Sequence, residues 1–140
     1  MVTPASNLDD YRVLDTETVW RLIDPRYYPE DSNSPGNRII SSSTFSHNKS
    51  PSLIRSSLVS QAFVRQHFPT FGIAAMKAAD VRQAGHGCLF AIEDDPDFPY
   101  WPTDAHVCVY KAPDKKRLKP GEIRGLTALA QAGLFFKPTV

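Results

Sequence analysis

Metal-ligand spacing, glycine-rich phosphate loops and membrane-length apolar runs are all missing from this sequence. Only two of its 140 residues are cysteines, Cys88 and Cys108. Both lie in apolar runs, so they read as reduced core thiols of a cytoplasmic protein, with a cross-strand disulfide as the alternative. The seven glycines never form a phosphate-cradling pattern, and there is no nucleophile elbow, His-Glu-x-x-His or Cys-x-x-Cys. Those absences remove the common nucleotide-loop, hydrolase and zinc chemistries and leave no metal site to expect. The N-terminal Met-Val-Thr-Pro-Ala-Ser-Asn has neither the basic start nor the apolar centre of a signal peptide. No run approaches the roughly eighteen apolar residues of a membrane span. Sixteen Lys and Arg against fifteen Asp and Glu give a net charge of +1, which provides no basic footprint for nucleic acid.

What is present is enough for one core. A 41% hydrophobic and 11% aromatic composition argues against disorder, and a chain of this length buries most of its apolar surface as a single domain. Residues 1–17 read as an N-terminal lead-in and 18–140 as the globular domain. Alternation predicts strands over 18–23, 38–45, 71–76 and 105–110, and the nearly apolar 87–93 reads as a central strand. Helical spacing predicts helices near 53–67, 77–84 and 120–132, the last with Pro120 at its start and Gly133 as its stop. The fold class expected is α+β: a mixed or antiparallel sheet of about five strands with two to three packing helices.

Arg38 to Phe45, Arg-Ile-Ile-Ser-Ser-Ser-Thr-Phe, stands out because strand formers carry a dense run of hydroxyls. Buried hydroxyls need partners, so the run reads either as a polar ligand site or as a solvated edge. Arg21 lies between Val19 and Ile23 on one face of the first strand and needs a counter-charge, either Asp80, Glu93 or Asp104 or a bound anion. Arg82 and His106 also fall at element ends. Guanidinium, hydroxyl and imidazole together suit an anionic ligand. The expected ligand-binding set is Arg21, Ser42, Ser43, Arg82 and His106, beneath two loops, 26–37 with Tyr27 and Tyr28, and 94–102 with Phe98 and Trp101. His106 and Glu93 are the candidate acid or base. Asp94, Asp95, Asp97 and Asp104 lack the spacing of a calcium loop. His47, His67 and His86 read as solvated, and Lys115, Lys116, Arg117 and Lys119 as a soluble face.

Trp20-Arg21-Leu22-Ile23-Asp24-Pro25, the Ser-Ser-Ser-Thr-Phe run, Gly72-Ile73-Ala74-Ala75 with Asp80-Val81-Arg82, and Asp104-Ala105-His106-Val107 together resemble a family of small bacterial proteins of unassigned function. The resemblance covers about residues 19–111 and implies the same five site residues without assigning them a task. Arg21 and the Ser41–Thr44 run also resemble, more distantly, mono-ADP-ribosyltransferase-type folds, with Glu93 as the acid. That likeness implies NAD or another nucleotide as cofactor or substrate and transferase or hydrolase activity. A protein-interaction adaptor in a bacterial conflict or toxin-antitoxin pair is the remaining class. The expected partners are therefore a small anionic ligand or another protein, with no nucleic acid and no membrane.

Overall fold

The strand β1 (Thr18–Ile23) forms where the sequence predicts it and becomes the middle of the sheet. Its branched and aromatic residues suit a pleated surface buried on both sides, and Asp24-Pro25 ends it because proline donates no ladder bond. The Asp24 carboxylate accepts from the Arg26 N–H at 3.0 Å and caps the 3-10 turn Pro25–Tyr27 that follows. The structure, a computed structural model, describes residues 9–10, 12–29, 38–46, 51–84, 87–111 and 116–138.

The other strands are β2 (Ser52–Arg55), β3 (Gly72–Lys77), β4 (Leu89–Ile92), β5 (His106–Tyr110) and β6 (Leu134–Phe136). They make one open six-stranded sheet in the order β4-β5-β2-β1-β3-β6, and every pairing is antiparallel. The helices are α1 (Ser43–Ser46), α2 (Gln61–His67), α3 (Ala78–Ala84) and α4 (Pro120–Ala132). One sheet face packs Val19, Ile23, Leu53, Phe90 and Val107 against Val81 of α3 and Ile123 and Leu126 of α4. The opposite face packs Trp20, Ile54 and Ile73 against Val64 of α2, with Phe68 and Trp101 closing over them. A single α+β domain results.

Helix α4 begins at Pro120 as predicted; Glu122 accepts from the Lys119 N–H at 2.7 Å, and Gly133 donates back to Leu129 at 3.0 Å. Gly125 lets α3 and α4 touch backbone to backbone, since a Cβ there would lie 2.1 Å from the Ala84 carbonyl oxygen. The segment expected as a lead-in is anchored as well. Val13 is 1% exposed and belongs to the core.

Three sequence expectations are corrected. Arg38–Phe45 is not a strand: the Ser41 hydroxyl accepts from the Ser43 N–H at 3.2 Å, and 43–46 coils into α1. Serine side chains bond their own neighbouring backbone, and here that local option displaces a ladder. The single helix over 53–67 is three pieces. Leu53 and Ile54 pair with β5 in β2, Ser56–Leu58 is a 3-10 turn, and Ser60 caps a shorter α2 by accepting from the Phe63 N–H at 3.1 Å. Pro51 precedes a strand instead of starting a helix. Finally, β4 lies at the edge of the sheet, not the centre. Its apolar character is explained by the segment laid along it, where Asp10 N–H donates to the Phe90 carbonyl at 2.9 Å and the Asp9 carboxylate accepts from Phe90 N–H at 3.0 Å. The short β6 was not anticipated.

Candidate functional site

A cleft opens between the two middle strands of the sheet. Pairing of β1 with β2 runs only through Val19 with Arg55 and Trp20 with Ile54. Beyond that point β1 stays with β3 to Ile23, while the start of β2 stays with β5 through Ser52 and Cys108. Successive side chains alternate faces, so Arg21 belongs to the side of Val19 and Ile23, and Leu22, Ile54 and His106 to the other. Where the strands part, both sets line one cavity of about 320 Å³. Its wall also includes Tyr27, Thr44, Phe68, Phe71, Asp95, Asp97 and Trp101.

Arg21 occupies the gap. Its Nε donates to the Thr44 carbonyl at 3.0 Å, one terminal nitrogen to the Ser52 carbonyl at 2.7 Å, and the other again to Thr44. The guanidinium thus stitches α1 to β2, and it lies 5.7 Å from the centre of the Phe45 ring. Each terminal nitrogen keeps an N–H beyond these bonds. Arg21 is 9% exposed, and among the described residues no carboxylate lies within ion-pair distance of it. Burial lowers its pKa to about 10, which still leaves it charged at neutral pH. A buried charge satisfied only by carbonyl dipoles is costly, and an anion would relieve it.

His106, 5% exposed, is held by one ring nitrogen. Nδ1 lies 2.8 Å from the Glu93 carbonyl oxygen, which can only accept, so Nδ1 carries the proton. Nε2 is buried without a hydrogen bond and lies 3.8 Å from Asp95 Oδ2, a distance for charge attraction and too long for a hydrogen bond. Asp95 is fixed by its own loop: Oδ2 accepts from Trp101 Nε1 and Oδ1 from the Asp97 N–H, both at 3.0 Å. The Thr44 hydroxyl, on the same wall, is likewise buried with no partner. Trp101 stacks on Phe68 with ring centres 5.5 Å apart and planes 10° apart, and Phe98 meets Phe63, Phe68 and His67 edge-on. The aromatic loop packs its rings against α2 and forms one side of the cleft.

Of the expected ligand set, Arg21 and His106 meet in this cavity and the other three lie outside it. Arg82 belongs to the last turn of α3, where it binds both Asp9 oxygens at 2.9 and 3.0 Å, Asp15 at 2.6 Å and the Val13 carbonyl at 2.7 Å. Burial pulls its pKa down, but the Asp9 and Asp15 carboxylates outweigh it and the net shift is upward. Ser42 is exposed and lines a separate groove with Arg38, Arg124 and Gln131. Ser43 is engaged through its N–H in the turn that starts α1. Glu93 lines a neighbouring recess across the Asp95–Trp101 loop, where its carboxylate accepts from the Tyr110 hydroxyl at 2.6 Å.

His67 is exposed at the end of α2, as expected, with its ring tilted 48° against Phe63 at a centre distance of 4.6 Å. His47, His86, Lys115 and most of the flap expected at 26–37 lie outside the described residues. Among the described residues no group of three or more His, Cys, Asp or Glu could hold a metal ion, and no helix is long and apolar enough to cross a membrane. Sequence reasoning missed Thr44, Phe68, Phe71 and Asp97 as parts of the site. The Asp95-Pro-Asp97 spacing ahead of Trp101 was their one legible signal.

The architecture defines a class: an α+β domain whose open antiparallel sheet is split between its middle strands, with a charged and aromatic cavity in the split. Set beside known proteins, the chain matches no family model, no curated protein and no solved structure.

Proposed function

We propose that the chain binds a small ligand bearing an anionic group, held by Arg21 in the cleft between β1 and β2. The carrying observation is a buried guanidinium with no carboxylate in ion-pair range among the described residues, lining a cavity whose His106 Nε2 has no hydrogen-bond partner among them either. Arginine presents a planar fork that matches carboxylate or phosphate, and a low-dielectric wall strengthens the attraction. The cavity is at the small end of ligand sites, where a compact molecule fits and a whole dinucleotide does not. Glu93 lines the neighbouring recess and the aromatic loop packs on α2, so the binding reading has more support than a NAD-directed transferase or an adaptor.

Calorimetric titration with inorganic phosphate, acetate, benzoate and a nucleoside monophosphate tests this. At least one saturable anion is expected, weakened about tenfold or more by Arg21→Lys, which keeps the charge and loses the fork. His106→Asn preserves a donor to the Glu93 carbonyl, removes Nε2 and serves as the second variant. Absence of saturable binding by every anion, or affinity untouched by both variants in folded protein, overturns the reading.

A further inference from the structure

The same cavity carries opposite charges at separate places, and this says more about what it holds. Arg21 is the buried cation. The Asp95–Trp101 loop contributes two carboxylates, Asp95 and Asp97, to the same wall, and Asp24 and Arg26, paired with each other at 3.2 Å, add one charge of each sign. Asp97 is exposed and its carboxylate accepts no hydrogen bond from the described residues, so it is free to take a ligand donor. Asp95 is held in place by Trp101 and the Asp97 N–H, which leaves lone pairs on both its oxygens.

His106 provides the independent observation. With the proton on Nδ1, the Nε2 lone pair and Asp95 Oδ2 face one another at 3.8 Å with no proton between them. Two electronegative atoms so placed form a corner that a cation relieves. Phe68, Phe71, Trp101 and Tyr27 line the same cavity, surfaces suited to a ring or aliphatic body and, through their faces, to a cation.

We infer that the ligand is a small zwitterion of the amino-acid type, its carboxylate on Arg21, its ammonium on Asp95 and Asp97, and its apolar side chain against the aromatic wall. This rests on the anion-binding reading and narrows it. The cavity volume of about 320 Å³ is roughly that of ten liquid water molecules, room for one ring with a short polar tail.

Three probes of nearly equal shape isolate the two charges: L-phenylalanine, 3-phenylpropionate, which lacks the ammonium, and phenethylamine, which lacks the carboxylate. Titrated calorimetrically into the full chain, phenylalanine is expected to bind at least about tenfold more tightly than either relative. Asp97→Asn, an exposed change that leaves the fold intact, is expected to weaken phenylalanine about tenfold and leave 3-phenylpropionate unchanged. A 3-phenylpropionate affinity equal to that of phenylalanine, or an Asp97→Asn protein that binds phenylalanine as wild type does, overturns the zwitterion while leaving anion binding in place. Binding of phosphate or benzoate without binding of phenylalanine has the same consequence. Failure of all anions and of phenylalanine removes both.

Discussion

Arg82 and Arg21 were singled out together from the sequence, and the fold places them in two regions with opposite electrostatics. On α3, Arg82 pairs with both Asp9 and Asp15, and its guanidinium ties the segment ahead of β1 to the body. In the cleft, Arg21 is more deeply buried, and its hydrogen bonds go to main-chain carbonyls beside the Phe45 ring. One region therefore has its charges balanced by the chain itself. The other leaves a buried guanidinium with no carboxylate in ion-pair range among the described residues. What sets the two arginines apart is their counter-charge and not their burial alone.

The largest effect that would test the contrast is on stability. Arg82→Met leaves Asp9 beside β4 without its cation and frees the anchor on Val13; a loss of about 2–3 kcal/mol is expected, discounted from a fully buried pair because Asp15 is largely exposed. The shift of the urea midpoint measures it. Arg21→Met removes the partners of two carbonyls, and it also removes the cost of burying an unpaired charge, so these terms oppose one another. Its loss is expected to be at least about 1 kcal/mol smaller than that of Arg82→Met. Equal or reversed midpoints would erase the distinction between the two regions. The smallest effect is chemical. Burial pushes the Cys88 thiol up to about 12, and its Sγ lies 3.3 Å from the Val81 carbonyl in the balanced region. Alkylation of folded protein near pH 8 should therefore be slow and should accelerate on denaturation; fast native labelling of Cys88 would show that this region opens.

Much of the sheet was legible. Thr18–Ile23 alternates and is bounded by Asp24-Pro25, and residues 120–132 carry both a proline start and a glycine stop, so local signals and tertiary packing agree. They disagree at the serines. Ser41 and Ser60 act as caps, and neither the hydroxyl-rich strand nor the long second helix survives that competition. Of the site, Arg21 was found because it interrupts an apolar strand pattern and His106 because it stands at a strand end. Ser42, Ser43 and Arg82 were grouped with them because a pattern along the chain says nothing about which side of the sheet a neighbour occupies. Thr44 and Phe71 lay inside the hydroxyl run and a predicted strand, and neither pattern pointed to the cavity.

The order of residues alone determined that this chain forms one α+β domain, because alternation and helical spacing are local properties that hydrophobic burial must respect. It also placed a cation among the aliphatics of β1. Where β1 and β2 part was decided only in three dimensions. Their registers are set by different neighbours, β3 on one side and β5 on the other. The split between them brings opposite faces of the sheet, and opposite charges, to one cavity.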